Sequence, residues 1–405
     1  MSLVERYKNL SLASKILLYM VLGIFIGLIF GQKATILQPL GDLFIRLLMM
    51  AAIPLVFFNL LAGLSSLTDL RIVGRIGVKI MSYYLLTTAF AVSIGIVMMN
   101  IVKPGVGITL TGKVSQEIGS VPKVTDIVLD LVPKNIFASF SSGNVAQIVV
   151  FAVFIGIVTL LLPAEQKGPL QKGFTIIADL LRKLVGIILY FGPIGIGALA
   201  AVTVGKYGPT IFGPLAKFVG AVWAAELIMV VIYMILLITI GRMSPLYFLK
   251  QSGPLYATTA ATCSSLASLV VSLDVAENRL KLPKSIFTFT LPLGAQLNKD
   301  GTAIMLAGVL MFTAQAAGVE FSLASQLSIV LVGLILSEGS GGIPGGGLVI
   351  AMIFVQAFNL PLEIAAIVAG IYRLIDMANT SLNCMGDLVG TILVSRTEKE
   401  FKDTF

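Results

Sequence analysis

Apolar residues run in long stretches along most of this chain, and the polar positions that interrupt them fall into two kinds. Runs such as Ile16 to Phe30, Met81 to Ile101, Ile148 to Leu162 and Phe218 to Ile240 approach or exceed the roughly 20 residues that a spanning helix needs. They lack the period-two alternation of outer-membrane barrel strands, so they predict helices. Up to about residue 240 the interruptions are simple breaks between spans, near Gly31 to Lys33, Asp69 to Lys79, Lys103 to Lys134, Pro163 to Lys172 and Lys206 to Lys217. This half reads as scaffold, and the longest break as an extramembrane loop. The first apolar run has no small-residue cleavage site and reads as a retained span.

After Gly241 the texture changes. Thr258 to Ser268 and Ser337 to Gly347 set small polar residues and glycines between apolar flanks that are each too short to cross alone. Such segments predict two re-entrant hairpins whose tips meet inside the membrane, where non-helical backbone is tolerated only against protein or a cavity. Between them, Leu291 to Thr302 contains Pro292, Gly294 and Gly301. These are poor interior helix residues, so a broken span is expected, with free carbonyls beside Asp300. Paired interrupted segments are the sequence pointer to a transporter binding site.

Five polar side chains, Arg373, Asp376, Thr380, Asn383 and Asp387, then recur at steps of three and four between Pro361 and Val394. On a helix they stack along one face. Ionisable groups at the bilayer centre cost at least about 2.5 to 3.5 kcal/mol each, so the stripe must face protein, ions, water or a polar solute.

Composition settles the solvent. At 57% hydrophobic and 12% charged residues, no soluble core of this length could hide the apolar surface, and the chain reads as an integral membrane protein. Its net charge of +8 does not call for nucleic acid, because the basic residues cluster between spans and at the ends, where lipid headgroups account for them. Lys8 and Lys15, Arg71, Arg75 and Lys79, and Arg396, Lys399 and Lys402 belong on one side, which the positive-inside rule makes cytoplasmic. A multi-pass protein of the plasma (inner) membrane follows. The chain has no histidine and only two cysteines, Cys263 and Cys384, which argues against a zinc hydrolase, a histidine-based triad and a disulfide framework.

Several residues carry chemistry with alternatives open. Asp300 and Asp387, beside Asn298 and Asn383, offer the oxygen ligands that sodium wants, or serve as structural partners of Lys299 and Arg373. Asp376 holds a substrate ammonium or pairs locally with Arg373. The Gly339 to Gly347 run makes a lid or an anion nest, or merely packs helices. Ser264 and Ser265 contact a solute or pack helices. Lys299 fills a cation site permanently, exchanges a proton, or pairs with Asp300.

Taken together these residues resemble the glutamate transporter family, the dicarboxylate/amino acid:cation symporters that include archaeal aspartate transporters and mammalian excitatory amino acid carriers. The resemblance rests on Tyr83 to Ala89, Leu291 to Ala295, Asn298 to Thr302, the tip at Gly342 to Gly345, and Asp376, Thr380, Asn383, Gly386 and Asp387. It implies an all-α membrane protein of eight transmembrane helices plus two re-entrant hairpins, assembled as a homotrimer. An elevator mechanism is implied, with scaffold at 1–73 and 126–213 and a transport domain at 74–125 and 214–405. By position, Tyr84, Thr87, Thr88, Asn298 and Asp300 are implied as one sodium site, and Gly294, Asn298, Asn383 and Asp387 as a second. A third falls near Gln296, Lys299 and Ser337 to Ser340. Asp376 is implied to take the amino group of an amino acid and Asn383 its α-carboxylate, helped by Thr302, Thr380, Ser264, Ser265 and the backbone at Gly342, Ile343 and Gly345. No catalytic residue and no cofactor beyond transported ions is implied.

Two departures shape the expected substrate and coupling. Where acidic-substrate members carry an arginine for the side-chain carboxylate, this chain has Asn379 and Cys263. Without that bidentate partner the expectation is a sodium-coupled symporter of a small neutral amino acid; Arg373 compensates only if the helix or its rotamer differs. The alternative is a proton-coupled or sodium-independent carrier of an acidic amino acid or C4-dicarboxylate. Lys299 stands where the family usually has methionine, and as a cation mimic or proton site it would change the number of coupled ions. A channel and an intramembrane enzyme are the rivals from other classes.

Overall fold

Backbone polar groups in hydrocarbon must be satisfied within their own segment, and the apolar runs of this chain accordingly form helices. The computed structural model describes residues 10, 12–65, 72–108, 132–142, 145–340, 345–369 and 371–398. Among these, every regular element is helical: α1 (Leu12–Phe30), α2 (Gln38–Ser65), α3 (Ile72–Val102), α4 (Ile136–Ser142), α5 (Val145–Leu161), α6 (Ala164–Tyr190), α7 (Gly192–Tyr207) and α8 (Phe212–Thr239). The second half holds α9 (Pro245–Thr262), α10 (Ser265–Asp274), α11 (Lys284–Leu297), α12 (Asp300–Ala316), α13 (Leu323–Ser337), α14 (Gly346–Ala357), α15 (Leu362–Ala369) and α16 (Tyr372–Thr397). Among the described residues four stretches are long and apolar enough to cross a membrane, or five if α6 and α7, bent by 55° at their junction, form one span.

Not every polar interruption in the sequence is a loop. The break expected over Pro163 to Lys172 is helical from Ala164 onward, with Glu165 in the first turn of α6, where a carboxylate favours the helix dipole. Its polar residues mark a solvent-facing start of a helix. The breaks at Gly31 and Gly208 are short 3-10 turns, Gly31–Leu37 and Gly208–Ile211. Most of the expected long loop, 109–131, lies outside the described residues.

Both expected hairpins are helix–turn–helix units. Cys263, in the left-handed region at φ 49, closes α9 by donating its N–H to Thr259 O at 2.7 Å, and Ser264 caps α10 by accepting from the Ala267 N–H at 3.1 Å. Left-handed geometry is disfavoured for a residue with a Cβ, so this turn is held by its two caps. In the second unit α13 passes into a 3-10 turn, Glu338–Ser340, before α14, and 341–344 lie outside the described residues. The paired helices of each unit pack on one another.

Pro292 and Gly294 stay inside α11, and the break falls instead at Asn298 and Lys299, whose backbones leave the helical region before Asp300 starts α12. The Lys299 side chain takes the Ala295 carbonyl, the acceptor its own N–H would use to continue the helix, and the Asn298 amide is drawn to α16.

Helices α1, α2, α5, α6 and α7 pack among themselves, while α3 and α8 pack with α12 and α16. Helix α16 is central to the second group and touches α8, α9, α11 and α12. Every residue from Leu382 to Ser395 is buried, as is every residue of α12 from Asp300 to Ala314. The stripe lies entirely on α16. At one end, Glu398 just past α16 pairs with Arg75 and, at 2.7 Å, with Lys79 near the start of α3.

Candidate functional site

The break between α11 and α12 brings Asp300 to the start of a buried helix, where its carboxylate collects hydroxyls from two others. Thr88 of α3 donates to Asp300 Oδ1 at 2.7 Å, and Tyr233 of α8 donates to Oδ2. Thr87 lies beside the same carboxylate, though its hydroxyl also donates to Tyr84 O at 3.2 Å. Tyr84 is turned toward α11, donating to Thr290 O at 3.0 Å.

The second carboxylate, Asp387, accepts from Asn298 Nδ2 at 2.9 Å, and the same nitrogen reaches Asn383 O at 3.3 Å. Gly294 lies so close that an added Cβ would stand 2.5 Å from Tyr84 Oη and 2.7 Å from Asp387 Cγ. Gly301 is likewise pressed against Asn379, whose Cα would be 2.6 Å from an added Cβ. Asn383 then ties α16 to the first turn of α12. Its Oδ1 accepts from the Gly301 N–H at 2.8 Å, and its Nδ2 donates to Thr302 Oγ1 at 3.1 Å. Tyr84, Thr87, Thr88, Gly294, Asn298, Asp300, Asn383 and Asp387 thus form one continuous buried cluster.

Lys299 is buried in the same cluster, and its ammonium donates to Ala295 O at 2.6 Å, not to Asp300. Its charged neighbours are Asp387, Glu338 and Asp300. Glu338, on the 3-10 turn that packs against α11, has both carboxylate oxygens buried without a hydrogen-bond partner, and so do Asn298 Oδ1 and Gln296 Oε1. Buried acceptors normally find a donor or a cation. Acceptors outnumber donors here, and the ligands are oxygen, which suits a hard cation. Among the described residues no group of three His, Cys, Asp or Glu is assembled for a resident metal.

Nearer the tips, Asp376 accepts from the Gly345 N–H at 3.4 Å, so the second hairpin reaches the stripe. Tyr372 and Thr380 of α16 bear on the same carboxylate. Arg373 is within electrostatic reach of Asp376 and of Cys263 at the first tip. Ser264 spends its hydroxyl capping α10, and Ser265 is buried beside Cys384 of α16. The expected contacts at Gly342 and Ile343 lie outside the described residues.

Two participants escape a reading of the sequence alone, Tyr233 and Glu226. Glu226, on α8, is 5% exposed. With the Asn379 amide turned so that its nitrogen faces Glu226, it donates to Oε1 at 2.5 Å and to Gly301 O at 3.3 Å. A signal existed, since Glu226 and Tyr233 are seven residues apart in an apolar helix and share a face.

Comparison with known proteins agrees with this architecture. Residues 12–397 match the sodium:dicarboxylate symporter family. The chain is 30% identical over 408 residues to the proton/sodium-glutamate symport protein of Geobacillus stearothermophilus, covering 98% of this chain and 96% of that protein. It is 31% identical over 398 residues to the proton/glutamate-aspartate symporter of Bacillus subtilis, covering 96% of each. To the C4-dicarboxylate transport protein of the same organism it is 28% identical over 405 residues, covering 98% of this chain and 95% of that protein. With a match across nearly its whole length, a membrane-embedded helical body and no place for an enzyme's chemistry in what its relatives do, this chain belongs to the sodium:dicarboxylate symporter family, a group of multi-pass plasma-membrane transporters.

Proposed function

We propose that this protein is a secondary-active symporter of an acidic solute, an amino acid with a side-chain carboxylate or a C4-dicarboxylate, driven by cations with the proton foremost. The observation that carries this reading is the position of Arg373, one turn before Asp376 and within electrostatic reach of Cys263 at the first tip. A neutral substrate was expected because Asn379 and Cys263 leave no guanidinium at the usual positions. The relatives are named for glutamate, aspartate and C4-dicarboxylates, which favours the acidic alternative over that expectation, and Arg373, six residues before Asn379 on α16, lies within electrostatic reach of Asp376 and Cys263. Arginine is suited to a second carboxylate because its planar fork donates two parallel hydrogen bonds.

In this reading Asp376 and Thr380 take the amino end of an amino acid, Asn383 and Thr302 its α-carboxylate, and the second tip closes over it through Gly345. Asp300 and Asp387 hold cations, with sodium as the candidate. Ionised, Asp300, Asp387 and Glu338 carry three negative charges against one positive charge on Lys299, which leaves two for cations or protons to balance. Lys299 serves as a resident cation, supported by its place among these carboxylates. Bound cations order the broken span and raise solute affinity, and solute raises cation affinity equally.

The more extensive packing of α1, α2 and α5 to α7 on one another than on α3, α8 and the later helices supports a scaffold at 1–73 and 126–213 and a transport domain at 74–125 and 214–405. Eight spans, elevator motion of the transport domain and a homotrimer complete the proposal. Uptake of labelled L-aspartate, L-glutamate, succinate and L-serine into proteoliposomes, under imposed proton and sodium gradients, tests it. Accumulation of an acidic solute that serine does not inhibit is expected; accumulation of serine with no competition by the acids would refute the reading.

A further inference from the structure

Helix α8 carries one acidic side chain, Glu226, in 28 residues, and neither the solute contacts nor the cation cluster above employs it. An ionisable group held inside a membrane is expensive and marks function by default. Its hydrogen-bond partner is Asn379 of α16, three residues past Asp376, and the charged group that bears on it is Asp376 itself. From α3, α9 and α12, the other helices packed against α8, no titratable or charged side chain does so among the described residues. Arg373 acts on Asp376, not on Glu226.

An amide has a donor end and an acceptor end, and which one meets a neighbour depends on a single half-rotation. With its nitrogen toward Glu226, Asn379 satisfies a carboxylate at 2.5 Å. With its oxygen there, it can only accept, and the partner must then be a carboxylic acid. The same amide can therefore meet Glu226 in either charge state, and the orientation with nitrogen toward Glu226 is the one that also satisfies Gly301 O at 3.3 Å. The charge state also matters to the pocket. An ionised Glu226 adds a second negative charge next to Asp376, where an anionic solute must settle, and like charges repel strongly at low dielectric.

We propose that Glu226 is the proton-carrying site of the transport cycle, protonated from solution as the acidic solute binds and deprotonated when it leaves, with Asn379 as the amide that accommodates both states. This rests on the acidic-solute, proton-driven reading above. No covalent step is involved: one proton moves from water to a Glu226 carboxylate oxygen and back.

The test uses the full-length protein in liposomes with the membrane voltage clamped and labelled L-aspartate, L-glutamate or succinate as the solute. A one-unit inward pH gradient should raise accumulation about tenfold per coupled proton in the wild type. Glu226→Gln should lose that response and Glu226→Asp should keep it. In detergent, adding the solute should withdraw a proton from weakly buffered solution for the wild type and none for Glu226→Gln. A wild type that ignores the pH gradient overturns the reading and this inference together. A gradient response that survives in Glu226→Gln overturns this inference alone. If Glu226→Gln does not fold, proton uptake by the wild type decides, and its absence while the solute still binds overturns the inference.

Discussion

Asn298 Nδ2 donates to Asp387 Oδ1 at 2.9 Å, joining the break between α11 and α12 to the polar face of α16 across 89 residues of chain. The other end of the same amide, Oδ1, is buried with no partner, so Asn298 presents an acceptor beside the Asp387 carboxyl group. Loss of a hydrogen-bond partner at a metal site typically weakens binding about 10- to 100-fold. Asn298→Ala is expected to raise the cation concentration for half-maximal uptake by that order, read from uptake at graded sodium and pH.

Gly294 is the closest point between α11, Asp387 and Tyr84. Gly294→Ala should overpack it at a cost of about 1–3 kcal/mol. A lower Tm in detergent is expected, partly recovered by adding Tyr84→Phe, which removes the hydroxyl the new methyl meets. A wild-type Tm in the single variant would contradict the geometry.

Arg373 is the guanidinium assigned to the solute's second carboxylate. Hydrogen bonds to charged groups are worth about 1.5–3 kcal/mol, or roughly 10- to 150-fold in affinity. Arg373→Ala should raise the KM for the acidic solute by that range, and Arg373→Lys, which lacks the planar fork, should recover only part. Competition assays with aspartate and succinate measure both.

As the resident cation proposed above, Lys299 would supply one positive charge to the cluster of Asp300, Asp387 and Glu338. Replacing it by Met leaves that charge to be filled from solution, so Lys299→Met should couple about one further cation per solute. The readout is the ratio of sodium to solute flux. An unchanged ratio removes the resident-cation role.

Glu398, outside the span, is held below the usual carboxylate range: burial pushes it up, but its hydrogen bonds and ion pairs with Lys79 and Arg75 outweigh that. A depressed folded-state value contributes stability above the unfolded value, near 4.5, and that stability is lost as pH falls through the folded one. Wild type should therefore melt above Glu398→Gln at neutral pH, with the gap closing below about pH 4.5. Thermal melts across pH check the sign.

Much of the site was legible because helical periodicity is a local property. The steps of three and four from Arg373 to Asp387 place those side chains on one face whatever else packs nearby. The small polar runs mark the hairpins, since hydrocarbon does not tolerate loose backbone. The break falls within the expected Leu291 to Thr302 segment, beside Asp300, although α11 accommodates Pro292 and Gly294 and ends at Leu297. Helix propensity ranks residues but leaves the stopping point to the polar contacts of Asn298 and Lys299. Glu226 and Tyr233 lie in an otherwise apolar helix of the first half, and their shared face has meaning only against α12 and α16.

By itself, then, the order of residues determined that the chain lives in a membrane, that its second half is interrupted at three places and that one late helix carries a polar edge. Which helices meet that edge was decided only in three dimensions. Tyr233 reaches Asp300 across 67 residues, Glu226 meets Asn379, and Arg373, six residues before Asn379, comes within electrostatic reach of Cys263 at the first tip. Spacing along a helix assigns a side chain to a face, but the neighbour of that face follows from how whole helices pack. That packing is a property of the assembled surfaces and not of any one segment.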